Sequence, residues 1–265
     1  NPYFKAEWSP ETILSYYYPS ALTIVKREIA DEVSRKFPYK RGSNEFLREC
    51  ALVAKSHLHI GEVLVHTRRE TSLEYENLPE IYKGQIKITA LILSKDHPEI
   101  LEKCVVSLNK AASSENVNLR IIVVDNGSNP ENEGFYEGLA KLHGFEYHMH
   151  PMNFEYSTLC NYAASLVRDD DLLFFLNDDV EVPEGMTFLA KMASMAMSPQ
   201  VGAVGCKLLY PDEDKIQHNG ITLLKSGPSH RLCTYTDSKV YCRGVNTHSR
   251  NVLAVTGAAL ICEAK

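Results

Sequence analysis

Polar and apolar positions change rhythm once along this chain. From Ile86 onward, short unbroken apolar runs alternate with stretches whose apolar residues recur every three or four positions. The runs predict strands at Ile88–Leu93, Leu119–Val124, Phe145–His148, Leu172–Leu176 and Val201–Leu209. Unbroken runs such as Ile121-Ile122-Val123-Val124 suit strands covered on both faces, as in a parallel sheet. The helical rhythm predicts helices over Pro98–Asn109, Glu131–Leu142, Thr158–Val167 and Gly185–Met197. In the first of these, Ile100, Leu101, Cys104, Val105 and Leu108 fall on one stripe, and Pro98 suits a helix start because its missing N–H is not needed there. Strands alternating with helices predict an α/β, doubly wound, mostly parallel sheet with right-handed crossovers over residues 86–265.

Residues 1–85 read as a mainly helical N-terminal region and linker. Leu22, Val25, Ile29 and Val33 give Ser20–Ser34 a helical stripe, and Pro38 blocks its extension. Ser43 is placed to cap a second helix whose apolar face holds Phe46, Leu47, Cys50, Ala51, Val53 and Ala54. Ile60–His66 reads as a short strand. Thr67–Gln85, polar and carrying Pro79 and Gly84, reads as a linker.

Composition narrows the class without choosing a function. At 265 residues, 44% hydrophobic and 23% charged, the chain has the balance of an ordinary globular protein. A net charge of −6 provides no basic footprint for nucleic acid. The seven cysteines are odd in number and without a CxxC pair, which argues for reduced thiols in a cytosolic compartment. No apolar stretch approaches the roughly 20 residues of a membrane span. The chain starts at Asn1, and Val255–Cys262 reads as a buried strand close to the last residue, so a piece of a longer protein is expected.

Chemistry in such a sheet belongs just past the carboxyl ends of the strands. Those positions hold Ser94-Lys95-Asp96-His97, Asp125-Asn126-Gly127-Ser128, Pro151-Met152-Asn153-Phe154 and Asn177-Asp178-Asp179. Adjacent carboxylates repel, so Asp178 and Asp179 call for a cation or a set of donors. A hard divalent ion that also holds phosphate oxygens fits them. Asp125 is placed to accept from an N–H of a base, although Asn126-Gly127 is equally a turn signal. No GxGxxG follows the first strand and no GxxxxGK[ST] occurs, so a diphosphate here needs a different counter-charge, which a cation on Asp179 supplies.

Other eye-catching residues read as structural. His218 is expected to be a hydrogen-bonded structural histidine, and His57, His59 and His66 lack tight ligand spacing. Lys95 and Lys207 read as solvated lysines, and Asp169-Asp170-Asp171 as an acidic turn. Met186, Met192, Met195 and Met197 read as packing residues of an amphipathic helix, and Tyr16-Tyr17-Tyr18 as packing within the helical region.

Taken together, several segments resemble family 2 glycosyltransferases of the GT-A fold. Leu91 through Leu101 resembles the first strand and loop, and Val123-Val124-Asp125-Asn126-Gly127-Ser128 the second strand end. Asn153 through Ser157, with Asn161, resembles the segment over the nucleotide. Leu176-Asn177-Asp178-Asp179-Val180-Glu181 is similar to the family's DxD-type motif. Gly202–Tyr210, Ile216–Gly220 and Val255–Ala259 resemble the segments that follow, the last leading to the acceptor pocket.

The resemblance implies transfer of a sugar, with inversion, from a nucleotide-diphosphate sugar to a glycan or lipid-linked saccharide in polysaccharide biosynthesis. It implies Asp125 and Ser94 at the base, Asp96, Asn153 and Asn161 along the donor pocket, Asp178 at ribose or sugar, and Asp179 on Mn²⁺ or Mg²⁺. It further implies a cytoplasmic protein working at the inner face of the membrane by peripheral association. The family's acidic base follows the Thr256-Gly257-Ala258 loop by more residues than this chain has, so the general base and the acceptor part are expected beyond Lys265. Segments around Tyr3–Pro10, Asn44–Arg48 and His59–Arg68 loosely resemble the tail of a second such domain, as in tandem surface-polysaccharide glycosyltransferases, with Glu45 at the base position. A helical extension is the simpler reading of that region. A nucleotidyltransferase, or a non-catalytic carbohydrate-binding or scaffolding module, are the competing functions; the former lacks its Gly-rich basic loop after the first strand.

Overall fold

The computed structural model describes residues 23–41, 43–58, 84–115, 117–167, 172–198, 201–211, 213–239 and 246–264. They divide into two units, one drawn from residues 1–79 and 238–251 and the other from 80–237 and 252–265. The first break between the units falls between residues 79 and 80, and 238–251 groups with the first unit.

In the first unit, α1 (Arg27–Lys36) and α2 (Asn44–Val53) pack through Val33, Phe46 and Cys50. The hydroxyl of Ser43 accepts the Phe46 N–H at 3.2 Å, the cap expected from the sequence. Helix α1 begins at Arg27 and runs past Ser34 to Lys36, ahead of Pro38. Glu45 lies in the first turn of α2, where its carboxylate is held below the usual range by the Ser43 hydrogen bond. That is a helix-start role. The expected strand at 60–66, the 67–83 stretch, Tyr16–Tyr18, His59, His66 and the 169–171 acidic turn lie outside the described residues.

In the second unit the chain runs β1 (Lys87–Ser94), α3 (Pro98–Ser114), β2 (Asn118–Asp125), α4 (Pro130–His143), β3 (Glu146–Met149), α5 (Tyr156–Ser165), β4 (Leu172–Asn177) and α6 (Leu189–Ala196). Short strands follow: β5 (Val204–Gly205), β6 (Leu208–Leu209), β7 (Ile216–His218), β8 (Ile221–Leu224), β9 (Gly227–His230) and β10 (Ala259–Glu263). The main sheet has the order β3-β2-β1-β4-β10-β5. β1 pairs in parallel with both β2 and β4, and β2 with β3, whereas β10 runs antiparallel to β4 and to β5. The sheet is thus mostly parallel, as expected.

Both faces of the parallel strands are covered, which explains their unbroken apolar runs. Ile88, Ala90, Ile92, Ile121, Val123 and Phe174 face α3 and α6; Leu91, Ile122, Val124 and Leu173 face α5 residues Leu159 and Ala163. Two expectations are corrected. The apolar stretch Val201–Leu209 is two two-residue strands in different sheets, because Gly205 ends the pairing with β10 and β6 turns to pair with β7. The helix expected from Gly185 begins at Leu189, where Glu115 caps it: Oε1 accepts from the Phe188 and Leu189 N–H groups at 2.7 and 3.0 Å, and Oε2 from that of Ala190 at 2.8 Å. Gly185 itself sits at φ +76°, outside helical conformation.

Candidate functional site

Strands β2 and β3 lie on one side of β1 and β4 on the other, so the chain order reverses between β1 and β4. Ligands of open α/β sheets bind at such a reversal. The register levels the strand ends there: Ser94 lies opposite Asp125, and Leu93 opposite Asn177. Ser94 and Asp178, 84 residues apart in sequence, are joined directly, with the Ser94 hydroxyl donating to Asp178 Oδ2 at 2.5 Å.

Asp178 is half-buried, and burial pushes its carboxyl up, reinforced by the charge of Asp179 and opposed by the Ser94 hydrogen bond. Its neighbour Asp179 is exposed. The turn that carries both is pinned from three sides. The Asn177 N–H donates to the Ala258 carbonyl at 3.0 Å, the Cys104 thiol lies 3.6 Å from the Asn177 carbonyl, and the Val182 N–H donates to Ser107 Oγ at 3.1 Å.

Asp125 is fully buried. Its Oδ1 accepts the Ser128 N–H and hydroxyl, both at 2.8 Å, and its Oδ2 accepts the Tyr147 hydroxyl at 2.7 Å. Beside it, Asn126 is 5% exposed and its Oδ1 has no hydrogen-bond partner within the chain. A buried polar atom of that kind calls for a partner from elsewhere. Gly127 takes φ +84°, and a Cβ there would stand 3.0 Å from Pro151 Cβ, so this loop accepts only glycine.

Asp96 occupies left-handed backbone at φ +58°. Its N–H donates to Ser128 Oγ at 2.8 Å, and its Oδ1 accepts from the Asn129 N–H at 2.8 Å and from Asn132 Nδ2 at 3.0 Å. The Asn132 and Asn129 bonds hold its carboxyl below the usual range. Asp96 therefore stitches the loop after β1 to the start of α4, and the strained conformation is one that clusters at functional sites.

Asn153 and Asn161 are exposed, ahead of α5 and on it. Helix α5 meets the 256–258 loop through Tyr156, whose hydroxyl donates to the Gly257 carbonyl at 3.2 Å. A Cβ at Gly257 would stand 2.6 Å from that hydroxyl oxygen. The structure thus brings Ser94, Asp96, Asp125 and Asp178 to one edge, with Asp179 on the same turn as Asp178, and joins α5 to the 256–258 loop.

The sequence left several members of this site unread. Tyr136, Tyr147 and Asn132 all bond to residues of the strand-end loops, yet none of them lies in a strand-end segment. His218 is the structural histidine expected: it is 1% exposed, and burial pushes its imidazole down to about 4. Lys207, expected to be solvated, is instead paired with both oxygens of Asp237 at 2.7 Å. The described cysteines are free thiols.

Asp178 and Asp179 are adjacent carboxylates, and His, Cys, Asp and Glu are the groups that could join them as metal ligands. Among the described residues no cluster of three or more such groups occurs. Mg²⁺-like ions are held by one or two carboxylates with substrate phosphates completing the shell, so Asp179, exposed beside Asp178, fits such an ion.

The sequence model of Glycosyl transferase family 2 matches residues 89–253, which include the ends of β1, β2 and β4. The chain belongs to this family. Among curated proteins it is 29% identical to O-antigen biosynthesis protein RfbC of Myxococcus xanthus over 98% of this chain and 23% of that protein. It is 31% identical to the uncharacterized protein y4gI of Sinorhizobium fredii over 68% of this chain and 20% of that protein. The chain thus spans about a fifth to a quarter of the length of these relatives. A mannosyltransferase from Pyrobaculum calidifontis, solved in complex with GDP-Man and Mn²⁺, is similar at a TM-score of 0.43 and 18% identity, over 50% of this chain and 38% of that one.

Among the described residues no helix is long and apolar enough to cross a membrane.

Proposed function

We propose that this chain carries the donor-binding part of an inverting glycosyltransferase that uses a nucleotide-diphosphate sugar and a divalent cation in surface-polysaccharide synthesis. The observation that carries the proposal is the meeting of Ser94 and Asp178 at the sheet's reversal point, beside the Asp125 loop, within a chain of this family. The relationship to an O-antigen biosynthesis protein supports the pathway class.

In this reading Ser94 and Asp125 form the floor of the base pocket. Asp125 reaches a base N–H through the free lone pair of Oδ2 once the 126–128 turn shifts, and Asn126 Oδ1 gains the partner it lacks within the chain. Asp96 holds the pocket wall, Asn153 and Asn161 line the side formed by α5 and the segment ahead of it, and Asp178 takes ribose or sugar hydroxyls. Asp179 holds Mn²⁺ or Mg²⁺, which when bound screens the diphosphate and stabilises it as a leaving group. An acceptor hydroxyl on a glycan or lipid-linked saccharide forms the new C–O bond as the bond to the diphosphate breaks. Its proton passes to a general base within hydrogen-bond reach of that hydroxyl. Work at the cytoplasmic face of a membrane, by peripheral association, fits a lipid-linked acceptor.

A thermal-shift panel of UDP, GDP and dTDP, each with and without Mn²⁺, tests the reading. Stabilisation by at least one nucleotide, dependent on the cation, is expected. Failure of all three with Mn²⁺ present overturns it, and stabilisation by glycan without nucleotide or metal assigns a non-catalytic module instead.

A further inference from the structure

We propose that Tyr136 and Tyr147, stacked on one another, are a pair of positioning residues that set the two acidic strand ends, Tyr136 acting on Asp178 through Ser94 and Tyr147 acting on Asp125 directly. The inference rests on the donor-site reading above and assigns residues that lie outside every strand-end segment.

Tyr136 is fully buried on α4, and Tyr147 lies on β3. Their ring centroids are 5.9 Å apart with planes 11° from parallel. Packing alone would be served by two phenylalanines; the hydroxyls are what the pair adds.

Proton accounting fixes the direction of the first chain of bonds. A hydroxyl has one proton to give. The Ser94 proton goes to Asp178 Oδ2, at 2.5 Å. The contact of 2.8 Å between Ser94 Oγ and the Tyr136 hydroxyl must then be donated by Tyr136. The Tyr136 oxygen in turn accepts the His97 N–H at 3.0 Å. The sequence of donation is His97 N–H to Tyr136, Tyr136 to Ser94, Ser94 to Asp178, with every donor aimed the same way. Bonds in such a chain polarise one another, and the carboxylate at its end is locked in rotation. Because Asp178 and Asp179 share one turn, anchoring the Asp178 side chain helps to hold the backbone from which Asp179 projects.

The second chain is shorter. Tyr147 donates to Asp125 Oδ2 at 2.7 Å, while Ser128 fills Oδ1 and accepts the Asp96 N–H. One ring stack therefore spaces two hydroxyls: Tyr136 bonds toward the turn that carries the proposed metal ligand and also interacts with Ser128, and Tyr147 donates to the proposed base contact.

Tyr136→Phe and Tyr147→Phe in the whole chain test this. Mn²⁺ affinity is read from the free-ion electron paramagnetic resonance signal, nucleotide affinity from calorimetry with UDP, GDP and dTDP, and fold integrity from apo melting. Tyr136→Phe is expected to weaken Mn²⁺ by about 10-fold and all three nucleotides alike, while Tyr147→Phe keeps Mn²⁺ within about twofold and narrows the differences among the nucleotides. Ser94→Ala should reproduce the Tyr136→Phe loss of Mn²⁺ affinity, and for Mn²⁺ the double variant should lose no more than Ser94→Ala alone, since both cut the same chain. Unchanged variants, or both variants weakening both ligands in step with a fall in melting temperature, overturn the inference while leaving the donor site standing. A wild-type chain that binds neither Mn²⁺ nor nucleotide overturns the donor-site reading and this inference with it.

Discussion

His218 donates its Nδ1 proton to Nδ1 of His230 at 2.8 Å. The proton is placed on Nδ1 because Nε2 accepts two backbone N–H groups, from Gly220 at 3.2 Å and Thr256 at 3.4 Å. One imidazole thereby holds the β7–β8 turn and the start of the 256–258 loop, whose Ala258 carbonyl receives the Asn177 N–H next to the two acids. His218 supports the edge of the site without belonging to it.

This arrangement needs a neutral His218, which gives the chain an acid limit. Burial sets the folded value at about 4, against an unfolded value of about 6.5. The folded value is the lower one, so the unfolded chain takes up the proton first as pH falls. The contribution is complete above about pH 6.5 and is lost on the way down to about pH 4, at ~1.4 kcal/mol per unit and about 3 kcal/mol in all. Urea unfolding at pH 7 and pH 4.5 should show the wild type losing about 2–3 kcal/mol more than His218→Gln. Equal losses in the two proteins would refute the assignment.

Gly220 stands where only glycine fits. Its φ is +86°, and a Cβ would meet Val252 Cγ1 at 2.6 Å and Val252 Cβ at 3.0 Å. Gly220→Ala should cost ~2–4 kcal/mol, combining left-handed strain with overpacking. Adding Val252→Ala should recover part of that loss, measured by chemical denaturation. No recovery would mean that backbone strain alone sets the cost.

Glu115 reaches across from the end of α3 to cap α6. Its carboxylate takes three N–H groups at the start of that helix, and Leu189, which follows, is fully buried. Glu115→Ala should lower stability by about 1–2 kcal/mol and speed hydrogen exchange at residues 188–190. Exchange unchanged at those amides would show that the cap is dispensable.

Asp179 should carry the dependence on divalent cation. A ligand at ~100 times its Kd adds ~2.7 kcal/mol of stability, and Asp179→Ala should abolish the Mn²⁺-dependent part of the shift caused by a nucleoside diphosphate. Apo stability should be unchanged within about 0.5 kcal/mol, because the side chain is exposed. A variant that keeps its Mn²⁺ response would move the metal ligand elsewhere.

The sequence by itself determined the alternation of strands and helices, because runs such as Ile121–Val124 and Leu172–Leu176 record burial on both faces, and burial is written residue by residue. It determined the polar strand ends too, since Ser94 and Asp125 follow directly on apolar runs and Asp178 and Asp179 follow one after only Asn177. What it left open were partners. Nothing local told Ser94 that its hydroxyl would meet Asp178 84 residues away, or that Tyr136, 42 residues from Ser94, would supply the next donor. Tyr136 reads as an ordinary helix position, and its role exists only once α4 packs on α3 and β3 and its hydroxyl reaches Ser94. Val201–Leu209 read as one strand because its residues are apolar enough, whereas two sheets compete for it and the tertiary structure divides it. Periodicity reports which side of an element is buried; hydrogen-bond partners depend on where distant elements come to rest, which only the assembled fold decides.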